Sequence, residues 1–124
     1  MPYQSFEELE VWKKSRQLKN DISALVKNFP AEEKYRLTDQ LIRSSRSVNT
    51  QIAEGHGRRT YPDRLGFCVI ARGSLSETLN HLIDSFDCSI INQEVLNEFR
   101  NKLTEVEKLL NGYITFLDKK NKES

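Results

Sequence analysis

Six residues carry the clearest chemistry in this chain: Arg43, Arg46, Arg58, Arg59, Tyr61 and Arg64. Guanidinium forks suit phosphate oxygens, and a tyrosine ring can stack on a base. Such a set could hold a nucleic acid. The same residues also read as a solvated turn whose cations offset a helix dipole and nearby acids. One copy of the chain offers few such charges, and a ring of identical copies would multiply them.

Other chemistry is thin. A di-iron bundle needs Glu-x-x-His pairs and inward carboxylates. Here Glu77 and His81 are four apart and fall away from the apolar seam of their helix, so no metal or other cofactor is expected. His56, beside glycine in GHGRR, reads as a solvated loop residue. Cys68 and Cys88 would need a base and an orienting group to act as nucleophiles, and the helical placement assembles no such trio. On one continuous helix they would stand roughly 30 Å apart, which excludes a bridge between them. GHGRR is too short for a phosphate loop and follows a helix rather than a strand. No catalytic residues are expected, and the chain reads as non-enzymatic.

The element that must position the arginines is the stretch Gln40 to Arg58. Leu41, Ser45, Val48 and Ile52 recur at helical spacing and form one buried stripe. Gln40, Arg43, Ser47, Thr50 and Glu54 lie roughly opposite. A stripe this polar ordinarily faces water; the alternative is that it meets a neighbouring subunit or a nucleic acid. Gly55 and Gly57 supply the stop, since glycine tolerates the left-handed geometry of a helix end.

The 124 residues suffice for one domain with a real core. Net charge is +1 and uneven along the chain. Residues 36–72 hold seven arginines against three acids, net +4, and residues 73–101 hold five acids against one arginine, net −4. Side-by-side packing would neutralise much of this, leaving the arginine cluster as the informative feature. Apolar runs are far too short for a membrane span, and MPYQSFEELEVW lacks the layout of a signal peptide. The default location is cytoplasmic.

Four segments carry apolar residues at three-four spacing. Val11, Ser15, Leu18, Ile22, Leu25 and Phe29 make the first seam, with Val26 beside it. Ser5 and Glu8 fit a capping box at its start, and Pro30 ends it. Phe6, Leu9 and Trp12 fall off the seam, to fold under the bundle end or to be covered by another subunit. Residues 31–37 form a connector with room for a short helical turn, and Thr38 or its neighbour is the candidate cap for the second helix. Pro62 suits the first turn of the third, whose seam is Cys68, Ala71, Leu75, Leu79, Leu82 and Phe86. A second line there, Phe67, Ile70, Ser74, Glu77 and His81, is apolar in its upper half. Asn92 caps a fourth helix with Phe99, Leu103, Val106, Leu110, Tyr113 and Leu117 inside. The spacing predicts an all-α, left-handed, antiparallel up-down-up-down four-helix bundle. Its helices cover about 6–29, 38–55, 62–90 and 93–118, with 119–124 as a frayed tail, in one domain spanning 1–124.

Several motifs, in order, resemble a known family. FEELEVW at 6–12, FPAEEKYRLTDQ at 29–40, RSSRSV at 43–48, IAEG at 52–55 and IARGSLSE at 70–77 are similar to the 23S rRNA intervening-sequence (S23) family of four-helix-bundle proteins. The likeness covers roughly residues 5–90. Membership implies a left-handed bundle, usually a homopentamer. A related branch, the accessory proteins of diversity-generating retroelements, binds nucleic acid through a basic surface. The family pattern falls on Gln40, Arg43, Ser47, Ile52, Ala53, Glu54, Gly55, Arg58, Ala71, Gly73, Ser74 and Glu77. One departure is Gln51, where the family often has Asn.

Motif residues lying off the chain's own seams point to a shared surface. The expected subunit contact is Gln40, Arg43, Ser47, Glu54, Ile70, Ser74 and Glu77, with the Arg58–Arg64 turn left free for RNA or a nucleoprotein partner. The alternative is a protein-interaction scaffold with no nucleic-acid role. Neither a membrane nor a small-molecule substrate is implied.

Overall fold

The computed structural model describes residues 4–124. It is all-helical and forms a four-helix bundle. Helix α1 is Glu10–Val26, α2 is Asp39–His56, α3 is Tyr61–Asp87 and α4 is Gln93–Glu123. Phe6–Glu8 and Ala31–Glu33 are short 3-10 turns, and Lys34–Thr38 is a π turn that runs straight into α2.

The apolar spacing decides which faces close together. Val11, Ser15, Leu18, Ile22 and Val26 of α1 are buried. Leu41, Ser45, Val48 and Ile52 of α2 are buried, as the stripe requires. Cys68, Ala71, Leu75 and Leu82 of α3 meet Leu96, Phe99, Leu103, Val106, Leu110 and Leu117 of α4 in the same core. Leu9 and Trp12 pack against this core, and the Trp12 ring meets Phe6 edge-on at 5.1 Å. The off-seam aromatics therefore fold under the end of their own bundle. Gly55 pairs with Phe67, Ser47 with Ser74 and Arg43 with Glu77, so numbering rises along α2 as it falls along α3.

Small polar side chains occupy the helix contacts. Asn49 Nδ2 donates to Ser15 Oγ at 3.0 Å and to the Trp12 carbonyl at 3.3 Å, joining α2 to α1. Thr78 Oγ1 lies 2.8 Å from Ser44 Oγ and 2.8 Å from the Ser74 carbonyl oxygen, joining α3 to α2. Among the described residues every buried side-chain polar atom has a partner, as the cost of burying an unpaired one demands.

Several local expectations are corrected. Gly57 has φ −78, and no described glycine is left-handed. Gly55 is instead needed for closeness, because a Cβ there would stand 2.7 Å from Phe67 Cβ. Ser5 accepts from the Glu7 amide at 3.2 Å and caps the 3-10 turn, not α1, and the Glu8 amide donates to the Ser5 carbonyl rather than to its hydroxyl. Thr38 caps nothing, because the π turn already supplies helical backbone ahead of α2. Val26 is buried where Leu25 is only partly so, since 3.6 residues per turn carry the stripe round by that point. Helix α4 continues to Glu123, through the stretch expected to fray. Asn92 does cap α4, accepting from the Val95 amide at 2.9 Å, and Thr60, which the sequence reading does not single out, caps α3 by accepting from the Asp63 amide at 3.2 Å.

Candidate functional site

Residues 57–60 link α2 to α3 at one end of the bundle. Arg58, Arg59, Tyr61 and Arg64 all belong to this end. Arg58 meets Glu54 at 3.0 Å, one turn back along α2, and its guanidinium sits 4.6 Å from the Phe67 ring centroid. Arg64 Nε donates to the Arg58 carbonyl at 2.8 Å, and its guanidinium lies 5.6 Å from the Tyr61 ring. No carboxylate pairs with Arg59 or Arg64 among the described residues, so the turn keeps uncompensated positive charge.

The other two arginines stand elsewhere. Arg43 is near the start of α2, roughly 20 Å along the helix from the turn. It donates to Gln40 Oε1 and to Glu77 Oε2, each at 2.6 Å, and His81 Nε2 lies 3.1 Å from the same carboxylate oxygen. Arg46 is exposed on the same outer face of α2. The six-residue set therefore divides: four members gather at the turn and two lie up the helix.

The residues expected at a subunit contact mostly meet one another within the chain. Gln40, Arg43 and Glu77 form one polar cluster across α2 and α3. Ser47 and Ser74 share a hydrogen bond at 2.9 Å, with Ser74 buried. Glu54 serves Arg58. Ile70 is different: it is 51% exposed, beside Val69 at 55%. Flanking them, Gly66 and Gly73 have nothing within 4 Å of where a Cβ would be.

The histidines and the buried thiol are committed to structure. His56 belongs to α2 rather than to a solvated loop. Its Nε2 lies 2.6 Å from the Gln4 carbonyl oxygen and its Nδ1 3.4 Å from Tyr113 Oη. The carbonyl can only accept, so Nε2 carries a proton, and Nδ1 shares the other hydrogen bond with the phenol. Burial pushes the Tyr113 phenol up to about 12 and the Cys68 thiol up to about 11. A thiol so protonated is a poor nucleophile. No group of three or more His, Cys, Asp or Glu among the described residues could hold a metal. No helix among them is long and apolar enough to cross a membrane.

Comparison with known proteins bears on the family and the fold. The model of the family described as 23S rRNA-intervening sequence protein matches residues 7–112. The chain belongs to this family. A protein of unknown function from the S23 ribosomal protein family of Bacteroides thetaiotaomicron has a similar crystal structure, with a TM-score of 0.74 at 24% identity. The match covers 84% of this chain and 97% of that one, and it speaks for the fold alone. No curated protein matches the chain.

The S23-family chain also places at the turn residues that sequence reading left out. Tyr113 and Phe116 of α4 stand beside Tyr61 and Arg64. Lys120 Nζ is 5.7 Å from the Phe116 ring. Phe116 lies within the expected fourth helix but off its heptad seam, so the seam gives no sign of it. Continuing the helical spacing through 122 sets Lys120 one turn beyond Phe116 on the same side.

Proposed function

We propose that this S23-family chain is a non-enzymatic, oligomeric bundle of the cytoplasm that binds RNA, free or within a nucleoprotein, through its Arg58–Arg64 turn. One observation carries the reading. Arg58, Arg59 and Arg64 crowd one helix connection beside an aromatic ring, outnumbering the two exposed carboxylates there, Glu54 and Asp63, of which Glu54 alone ion-pairs with one of these arginines among the described residues. Such exposed pairs are weak and exchange readily for phosphate. The non-enzymatic part is supported by the buried, protonated Cys68 and by histidines already held by Gln4, Tyr113 and Glu77.

The test is binding of a structured RNA across a salt series. Wild type should bind with a strong salt dependence, and the Arg58→Ala/Arg59→Ala/Arg64→Ala variant should lose affinity and reduce the salt slope by roughly one per lost phosphate contact. Equal binding by the triple variant removes the assignment.

Assembly into a homo-oligomer, a pentamer by family resemblance, is supported by the outer face of α3. Val69 and Ile70 are exposed there between two glycines. Each helical glycine costs about 1 kcal/mol relative to alanine, and neither gains a close contact inside the chain. A monomer in sedimentation at micromolar concentration sinks this part. The same apolar pair favours a second reading, a protein-interaction scaffold. Partners retained after nuclease treatment, from a chain that binds no RNA, would select it.

A further inference from the structure

The bundle end contains a cleft that the arginine turn does not account for. It encloses about 250 Å³ between the start of α3 and the last turns of α4. Tyr61, Tyr113, Phe116 and Leu117 wall it, and Arg64 and His56 supply polar groups. Ligand sites for larger molecules run to roughly 300–1,000 Å³, so this one suits a single ring system.

Its walls are held in place. The Tyr113 hydroxyl shares a hydrogen bond with His56 Nδ1, and the other ring nitrogen donates to the Gln4 carbonyl. Arg64 is fixed by the Arg58 carbonyl. The Tyr113 and Phe116 rings are tilted by only 14° from one another, with centroids 6.5 Å apart. Phe116 is nevertheless 52% exposed, leaving much of a large apolar side chain bare. Lys120 above Phe116 and Arg64 beside Tyr61 put cations at the rim.

Aromatic faces with cations at the edge match one chemistry: a planar base attached to a phosphate chain. Bases within a duplex are stacked and shielded. Bases in loops and single strands can leave the stack and lie on aromatic or guanidinium planes. We propose that this cleft receives one unpaired base of a single-stranded or looped RNA while the Arg58–Arg64 turn holds the adjoining phosphates. The proposal rests on the RNA reading above and narrows it from RNA in general to RNA with an unpaired base. It also gives Tyr61, Tyr113 and Phe116 the role of stacking platform.

The test uses the full chain and a short RNA carrying 2-aminopurine, supplied single-stranded or as a duplex. Stacking on a ring quenches 2-aminopurine. Wild type should quench the single-stranded probe and bind it more tightly than the duplex. Phe116→Leu and Tyr61→Leu should each weaken single-strand binding by about tenfold, the scale of one lost base–aromatic stack, and relieve the quenching. Their salt slope should stay unchanged, because no phosphate contact is removed. Phe116 is exposed enough that its variant is expected to fold, and circular dichroism checks this for both. Single-strand binding without quenching, or equal weakening on single strand and duplex, overturns the cleft while leaving the turn in place. Loss with the arginine triple variant but none with either aromatic variant does the same. A wild type that binds neither probe overturns both readings.

Discussion

Gly55→Ala and Gly112→Ala make the same chemical change and should move stability in opposite directions. Gly112 lies in the middle of α4 and Gly55 in the last turn of α2, so the substitution gains about 1 kcal/mol of helix propensity at Gly112 and no more than that at Gly55. At Gly112 the new methyl meets nothing within 4 Å, and the gain stands. At Gly55 it would sit 2.7 Å from Phe67 Cβ and 3.3 Å from the Arg64 carbonyl oxygen. A Cβ and a backbone oxygen cannot swing aside as a flexible side-chain end can, so α2 and α3 must part. Overpacking of this kind costs about 1–3 kcal/mol, leaving a net loss of about 1 kcal/mol. The two variants should therefore differ by about 2 kcal/mol, or roughly 8 °C in melting temperature for a chain of this size. Urea unfolding followed by helical circular dichroism, at matched protein concentration, measures the difference. A Gly55→Ala protein as stable as Gly112→Ala would refute the close-approach argument. Gly73→Ala extends the comparison. Its methyl also meets open space within the chain, so the isolated fold should gain about 1 kcal/mol. If the outer face of α3 is a subunit contact, the same change should make the assembly dissociate at a higher concentration.

Other expectations follow from the buried polar groups and the surface pair. Asn49→Ala removes two hydrogen bonds between α2 and α1 and should cost about 2 kcal/mol, read as a lower urea midpoint; an unchanged midpoint contradicts the bridging role. Cys68 and Tyr113 are neutral when protonated, and burial raises their folded values to about 11 and about 12, from 9.0 and 10.0. Stability should be complete below about pH 9 and fall as pH rises toward 12, by up to about 1.4 kcal/mol per unit for each group. Cys68→Ala should remove part of that slope between pH 9 and 11, and a flat profile to pH 11 would contradict burial of both groups. The Arg43–Glu77 pair is short, but Arg43 is 62% exposed. A double-mutant cycle should give less than about 1 kcal/mol of coupling, and a value well above that would show the pair to be shielded from water.

The four helices were legible because burial leaves a periodic trace. Leu41, Val48 and Ile52 could share a face only in a helix, and all three are buried. The α4 seam repeats regularly because one stripe faces one core. The trace weakens where a helix packs on two neighbours. Ser74, Thr78 and Ser85 of α3 are buried small polar residues, and hydropathy alone would leave them outside. The role of Gly55 is ambiguous in the sequence because closeness between helices and a left-handed turn call for the same residue. That of His56 is hidden because its partners, Gln4 and Tyr113, are distant in sequence. The candidate site was half legible: the arginines cluster along the chain, whereas Tyr113 and Phe116 reach the turn only through folding.

The rungs from Ser15 to Asn49 and from Ser44 to Thr78 bear on how this bundle avoids being some other bundle. Greasy side chains stick almost equally well after a helix slides by one turn. A hydroxyl or an amide does not, because sliding would strand it in oil without its mate. These few atoms therefore act as teeth of a key, and they let a modest interior tolerate only one alignment of its rods.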